Sequence, residues 1–339
     1  MATEKATEKR KESNGNPTSP TPVMPVTTLP PVEPAAAEPA TSRLPSAKAS
    51  PKRPTITLLT DFGTTDYFVG AIKGVVLSAN PEARVVDITH EIPSCDVETA
   101  AFTLLASYQS FPEGTFHVAI VDPGVGSDRR ALLVEAAGQS FIGPDNGIFS
   151  YVYEREPDHK VFEITNSEFF GHPISSTFHG RDIFAPVAAA LSNGVNPTEL
   201  GKEITNFVRL SPLAPELKDG KLKARVIHID RFGNCVTSLT RDFLPESGQI
   251  ALRINGKKVH SIKRFYAEPT EDKEKLFAIW GSAGFLEIAA ENKSAAKMLR
   301  AKRGDKIMLS TKEKSTKETK KQEEREEKTA KVNSKSTAA

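Results

Sequence analysis

The 339-residue chain carries 45 Lys and Arg against 43 Asp and Glu, a net charge of +2, so it lacks the basic surplus of a nucleic-acid-binding surface. Its two cysteines, Cys95 and Cys235, stand far apart and outside any CxxC or Cys/His spacing, which excludes a cysteine-based zinc site and fits a reducing compartment. With no run of about 18 apolar residues and no apolar core of a secretory signal, a cytoplasmic protein without membrane contact is expected.

The two ends shrink the folded part. Residues 1–53 hold no aromatic side chain and are rich in Pro, Ala, Ser, Thr, Lys and Glu, and residues 311–339 mix Lys and Glu with almost no bulky apolar residue. Neither segment buries enough apolar area to offset its ordering entropy, so both are expected to be disordered. The remainder suits two domains, with an α/β domain over 54–209, a linker over 210–220 marked by Pro212, Pro215 and an Asp-Gly turn, and a second domain over 221–310.

Thr55-Ile-Thr-Leu-Leu-Thr60 reads as a strand running into Asp61-Phe-Gly-Thr-Thr-Asp66 and then a helix over 67–79. Asp66 is the expected N-cap, and Gly70 and Gly74, one turn apart, are expected to let the helix lie close to the sheet. That leaves Asp61 without a capping task, a strand-end carboxylate suited to accepting from ribose hydroxyls. The loop is neither GxGxxG nor Walker-type, so it does not indicate a phosphate cradle.

A second strand over 84–90, an apolar helix over 97–107 and a third strand over 116–121 continue a β-α-β alternation that favours a mostly parallel sheet. The third strand belongs to Val118-Ala-Ile-Val-Asp-Pro-Gly-Val-Gly-Ser-Asp-Arg-Arg130, which places Asp122 at a strand's carboxyl end, two glycines in the turn and two arginines after it. In open α/β sheets ligands bind beyond those strand ends. Asp122 is thus a site candidate, or else a turn cap beside solvated arginines.

Short strands over 131–136 and 140–142, the turn Gly143-Pro-Asp-Asn-Gly147 and a helix over 148–154 follow. His179 then precedes an Ala-rich helix over 183–191, a place where a neutral imidazole can meet a ligand, whereas His159 and His260 read as surface residues. Beyond the linker, strands over 224–230, 235–239, 249–254, 257–262, 275–280 and 285–289, separated by glycine turns, predict a small antiparallel β-barrel or sandwich.

Taken together, Thr60-Asp-Phe-Gly-Thr-Thr-Asp66, Val121-Asp-Pro-Gly-Val-Gly126 with Arg129, Gly143-Pro-Asp-Asn-Gly147, Thr177-Phe-His-Gly-Arg-Asp182, Asp230-Arg-Phe-Gly-Asn234 and the segment 282–288 resemble the S-adenosyl-L-methionine hydroxide adenosyltransferases, relatives of the fluorinases and chlorinases. The resemblance covers roughly 55–310. It implies cleavage of S-adenosyl-L-methionine by water to adenosine and L-methionine, at an α/β domain joined to a C-terminal β-barrel. It implies that Asp122, Arg129 and His179 hold the nucleophilic water, that Asp61 binds the ribose, and that Asp230, Asn234, Ser282 and Asn292 hold the adenine or methionine end. It further implies a homotrimer whose sites lie between subunits, with no metal and no cofactor beyond the substrate.

The chemistry suits those residue types. A sulfonium activates C5′ and leaves as a neutral thioether, whereas forming hydroxide from water of pKa about 15.7 at pH 7 costs on the order of 12 kcal/mol. Arg129 is expected to clamp developing negative charge, His179 to accept the proton or to help hold the hydroxide, and Asp122 to orient both. Two alternatives remain at this stage. One is a halogenase, although the halogenating relatives dispense with the Arg and His and insert a long segment where this chain has only residues 136–142. The other is a non-catalytic sensor of the same ligand.

Overall fold

The computed structural model describes residues 53–218, 221–244, 249–268 and 276–312. The termini read as disordered lie outside this range, apart from Arg53 and the last two residues of the final strand, Thr311 and Lys312.

The first half is built on a six-stranded sheet of β1 (Thr55–Thr60), β2 (Arg84–Thr89), β3 (Phe116–Ile120), β4 (Ala131–Ala136), β5 (Gln139–Pro144) and β6 (Lys160–Glu163). Its order is β2-β1-β3-β5-β4-β6, with β1 parallel to β2 and β3, β3 parallel to β5, and β4 antiparallel to β5 and β6. The mostly parallel α/β reading therefore holds, with an antiparallel extension made by the β4–β5 hairpin and β6.

Neighbouring residues of the central strands enter separate cores. Leu58, Val118 and Ile120 join one apolar cluster, and Leu59, Ala119 and Val121 join the other. Burial on both faces is why these strands read as continuous apolar runs and not as alternating ones. On one face lie α1 (Phe68–Ala79) and the helix that follows His179, whose first turn, Gly180–Phe184, is π-helical. On the other lie α2 (Val97–Ser107) and α3 (Ser150–Arg155), and this second core also takes in Ile227, Val236 and Phe285 from beyond the linker.

The helix after the π turn is α4 (Ala185–Ser192), followed by the short α5 (Pro197–Leu200). The second half comprises β7 (Glu216–Lys218), β8 (Lys221–Ile229), β9 (Cys235–Thr237), β10 (Gln249–Ile254), β11 (Lys257–Val259), β12 (Ile262–Lys263), β13 (Leu276–Trp280), β14 (Leu286–Ala290), α6 (Ala295–Leu299) and β15 (Lys306–Lys312). Its sheet runs β11-β10-β15-β8-β9-β14-β13-β12 with β7 on β8, and every pair is antiparallel except β12 with β13.

Several local expectations are corrected. Tyr67, not Asp66, stands at the start of α1, and no side chain caps it. Gly70 and Gly74 are exposed, with open space where a Cβ would lie, so they do not serve close packing. The strand expected over 257–262 is two, β11 and β12, while β6 and β15 were not anticipated. His159 is half-buried, tilted against Tyr153 with centroids 4.8 Å apart, while His260 is exposed as expected. Among the described residues no helix is long and apolar enough to cross a membrane.

Candidate active site

Register places the two strand-end acids side by side. Thr60 of β1 pairs with Ile120 of β3, so Asp61 and Asp122 both emerge at the carboxyl edge of adjacent parallel strands. His179 reaches them because the chain before α4 packs very closely. A Cβ on Gly180 would lie 3.2 Å from Ile72 and 3.4 Å from Ile120, and one on Gly126, at φ +80°, would lie 2.2 Å from the Ser176 carbonyl oxygen. Glycine at these two positions lets the turn after Asp122 dock on the loop carrying His179.

Asp122, Arg129 and His179 form one hydrogen-bonded chain. Arg129 donates from Nε to Asp122 Oδ1 and Oδ2 at 2.9 and 2.8 Å, and from Nη2 to Oδ2 at 2.5 Å. The same Nη2 donates to His179 Nδ1 at 2.8 Å. The Asp122 and Arg129 side chains are only 5% and 10% exposed, so the pair is nearly removed from solvent, and its bidentate geometry is what makes such burial tolerable. Phe184 backs the guanidinium, 5.2 Å from the ring centroid.

The tautomer of His179 follows from its partner. A guanidinium has no lone pair to offer, so Nδ1 must be the acceptor and a neutral ring carries its proton on Nε2. Burial, and then the charge of Arg129, hold the imidazole below its usual pKa and keep it neutral. The free edge of the ring is therefore a hydrogen-bond donor.

Asp122 and His179, the two ends of this chain, line a pocket of about 310 Å³, where Asp61 and Thr177 join the polar wall and Phe62, Phe68 and Phe178 the apolar one. Neither arginine of the glycine turn is among its lining residues. Arg130 pairs with Asp145 at 2.5 Å and reaches the Asn206 carbonyl at 2.7 Å, so the Gly143–Gly147 turn ties down the chain that leaves the first sheet. Asp182 is likewise structural, accepting from the Ser175 amide at 2.8 Å.

Asp230, Asn234, Ser282 and Asn292 line a different pocket, of about 790 Å³, that shares no residue with the first. Asp230 accepts from the backbone N–H and the Nδ2 of Asn234 at 2.8 and 2.9 Å, and Gly233 between them is required, since a Cβ there would lie 2.0 Å from Ser294 Oγ. Sequence reasoning missed Tyr266, Trp280 and Glu287 on this wall. Burial, and then Asp230, push the Glu287 carboxyl above its usual range. Only the placement of Glu287 at the end of the Ser282–Glu287 turn could have signalled it. Cys95 was missed in the first pocket, and no pattern in the sequence marks it. No group of three or more His, Cys, Asp or Glu that could hold a metal occurs among the described residues.

The fold and site define an α/β protein joined to an antiparallel sheet, with a carboxylate, a guanidinium and an imidazole linked at the sheet's carboxyl edge. The family model described as the SAM hydroxide adenosyltransferase N-terminal domain matches residues 56–201, and that of the C-terminal domain matches 224–308. The chain belongs to this family.

An (R)-S-adenosyl-L-methionine hydrolase of Methanocaldococcus jannaschii is 35% identical over 264 residues, covering 74% of this chain and 94% of the relative. A fluorinase of Actinoplanes sp. is 28% identical over 235 residues, covering 60% and 79%. The crystal structure of an uncharacterized conserved protein from Thermotoga maritima superposes with a TM-score of 0.69 at 34% identity, covering 75% of this chain and 99% of that one.

Proposed function

We propose that the protein hydrolyses S-adenosyl-L-methionine to adenosine and L-methionine, with water displacing methionine at the ribose C5′, and that its substrate is the R sulfonium epimer named for the hydrolase relatives. The observation that carries this reading is the unbroken chain from Asp122 through Arg129 to His179, whose two ends line the pocket that also holds Asp61.

Roles follow from that geometry. His179 presents Nε2–H to the attacking oxygen and Arg129 supplies the fixed positive charge, so both favour an oxygen that is losing its proton. Asp122 holds the guanidinium in place and keeps it from swinging into the pocket. Of the two roles first open to His179, holding the hydroxide fits its tautomer and accepting the proton does not.

The C–O bond forms as the C5′–S bond breaks, and the sulfur keeps the electron pair as a neutral thioether. The lost proton leaves to solvent. Because an electron-rich oxygen approaches a cation, a pocket walled by aromatic rings strengthens the attraction. Halide needs no deprotonation, so a halogenase would have no use for the Arg129–His179 pair.

The two pockets are halves of one site. Asp61 and the chain through Arg129 serve the ribose and the attacking water, and Asp230, Asn234, Ser282 and Asn292 serve the adenine or methionine end from a neighbouring copy in a homotrimer. Support comes from the separation of the pockets within one chain and from the exposed aromatics beside them, Phe232 on the wall of the second, 80% exposed, and Tyr67, packed on Phe68 and Phe178 of the first, 68% exposed. The second sheet is taken as a barrel, a reading supported by the approach of β11 to β13.

Chromatography of reactions with each sulfonium epimer, with and without chloride or fluoride, tests this. Adenosine and L-methionine from the R epimer in every halide condition are expected, and a halogenated nucleoside, or no turnover at all, would overturn the reading.

A further inference from the structure

Cys95 is a non-glycine residue at φ +63°, a left-handed conformation that side chains other than Gly, Asn and Asp avoid. That geometry turns its backbone N–H onto Asp61 Oδ2 at 2.8 Å, and Cys95 lines the same pocket as Asp61, Asp122 and His179. The loop that carries it is stitched to the loop that leaves β1, with the Gly63 amide donating to the His90 carbonyl at 2.8 Å.

The other side of the turn is held from the second sheet. Asp96, next in sequence, caps α2 by accepting from the Thr99 amide at 3.0 Å. Arg303, in the turn before β15, donates from Nη1 to both Asp96 oxygens at 2.7 and 2.6 Å and lies 3.1 Å from Glu98 through Nε. Burial disfavours the Asp96 carboxylate, but the bonds from Arg303 and Thr99 outweigh it and keep the acid charged.

We infer that Cys95 is a positioning residue for the ribose end of the substrate: its left-handed turn, anchored through Asp96 to Arg303, fixes one Asp61 oxygen and leaves the other to accept from a ribose hydroxyl. The inference rests on Asp61 as the ribose-binding acid and deepens that reading. It makes the second sheet of the same chain a contributor to the first pocket, through a contact that never touches the substrate.

The test uses the full chain and two side-chain choices at one position. Cys95→Val places a β-branched residue where it cannot readily hold positive φ, so KM for S-adenosyl-L-methionine rises about tenfold while kcat stays within about twofold. Cys95→Gly keeps the amide and the conformation and rescues KM. Calorimetry with adenosine and with 2′,3′-dideoxyadenosine supplies a readout that general damage would not move. The Val variant is expected to lose about tenfold in affinity for adenosine and under twofold for the dideoxy compound.

Equal weakening of both ligands, or an unchanged KM in the Val variant, overturns the inference. Should that variant fail to fold, Arg303→Ala decides instead, with a rise of about threefold confined to the hydroxyl-bearing ligand expected and no rise contradicting it. A wild-type enzyme that forms no adenosine removes the functional reading itself, and with it the ribose role.

Discussion

Replacing His179 by Gln and by Ala separates hydrogen-bond donation from proton acceptance. The Gln side chain reaches about as far as Nε2 and offers an N–H there, yet it has no basic nitrogen, whereas Ala offers neither. In the structure Nδ1 is occupied by the Arg129 Nη2 donor at 2.8 Å, so the ring's other nitrogen acts only by donating. Removing one such donor from the oxygen as it sheds its proton is expected to cost about 10² to 10³ in kcat, on the order of 3–4 kcal/mol. His179→Ala should show that loss with KM within a few-fold of wild type, and His179→Gln should recover to within about tenfold of the wild-type kcat.

A pH profile adds a second check. Burial and Arg129 hold the His179 pKa below the ordinary 6.5, and protonation would set an N–H on Nδ1 against the Arg129 donor. Activity should therefore fall on the acid side only below about pH 6.5, and that limb should vanish in the Gln variant. Stopped reactions analysed by chromatography, from pH 4.5 to 9, give both quantities. If Gln were as inactive as Ala, donation would not explain the role of the ring and the tautomer argument would fail.

Gly126→Ala should destabilise the protein by about 2–4 kcal/mol in urea unfolding, because a Cβ would press on the Ser176 carbonyl from a left-handed backbone, and it should lower kcat by displacing His179; a wild-type-like midpoint would refute this. His117, fully buried between Thr57 and Gln139, has its pKa pushed down by burial to about 4, below the unfolded value of about 6.5. Between those values only the unfolded chain takes up the extra proton, so stability should drop by roughly 3 kcal/mol as pH falls from about 6.5 to about 4, and His117→Gln should flatten that slope in unfolding curves. Mixing inactive Asp122→Ala with inactive Asp230→Ala after denaturation and refolding should restore up to about a quarter of the wild-type activity if sites form between copies, because random pairing leaves that share with both acids intact. A mixture as inactive as its components would place each site within one chain.

Much of the first sheet was legible because its evidence is local. Residues 55–60 and 131–136 form strands over the expected spans, since an apolar run bounded by turn residues specifies both type and ends. β6 escaped notice because its four residues, Lys-Val-Phe-Glu, are too few to show a period, and its place in the sheet depends on pairing with β4. Asp66 looked like a cap on chemistry alone, but the helix begins one residue later than its position demands.

The site divides in the same way. Asp122 and Arg129 are seven residues apart, and the glycine turn between them suggests their meeting, whereas the contact of Arg129 with His179 spans 50 residues and rested on motif order. Cys95 could not be found from sequence, because its contribution is a backbone amide set by a dihedral angle and not a side chain. The separation of Asp230, Asn234, Ser282 and Asn292 from the first pocket is a fact of topology that spacing does not encode.

The most direct test of the central claim is turnover in water enriched in ¹⁸O, followed by mass spectrometry of the nucleoside. Attack of a held water on C5′ puts one heavy oxygen per turnover into the 5′-hydroxyl of adenosine and leaves L-methionine unlabelled. Unlabelled adenosine, or a nucleoside carrying halogen at C5′, would contradict the account.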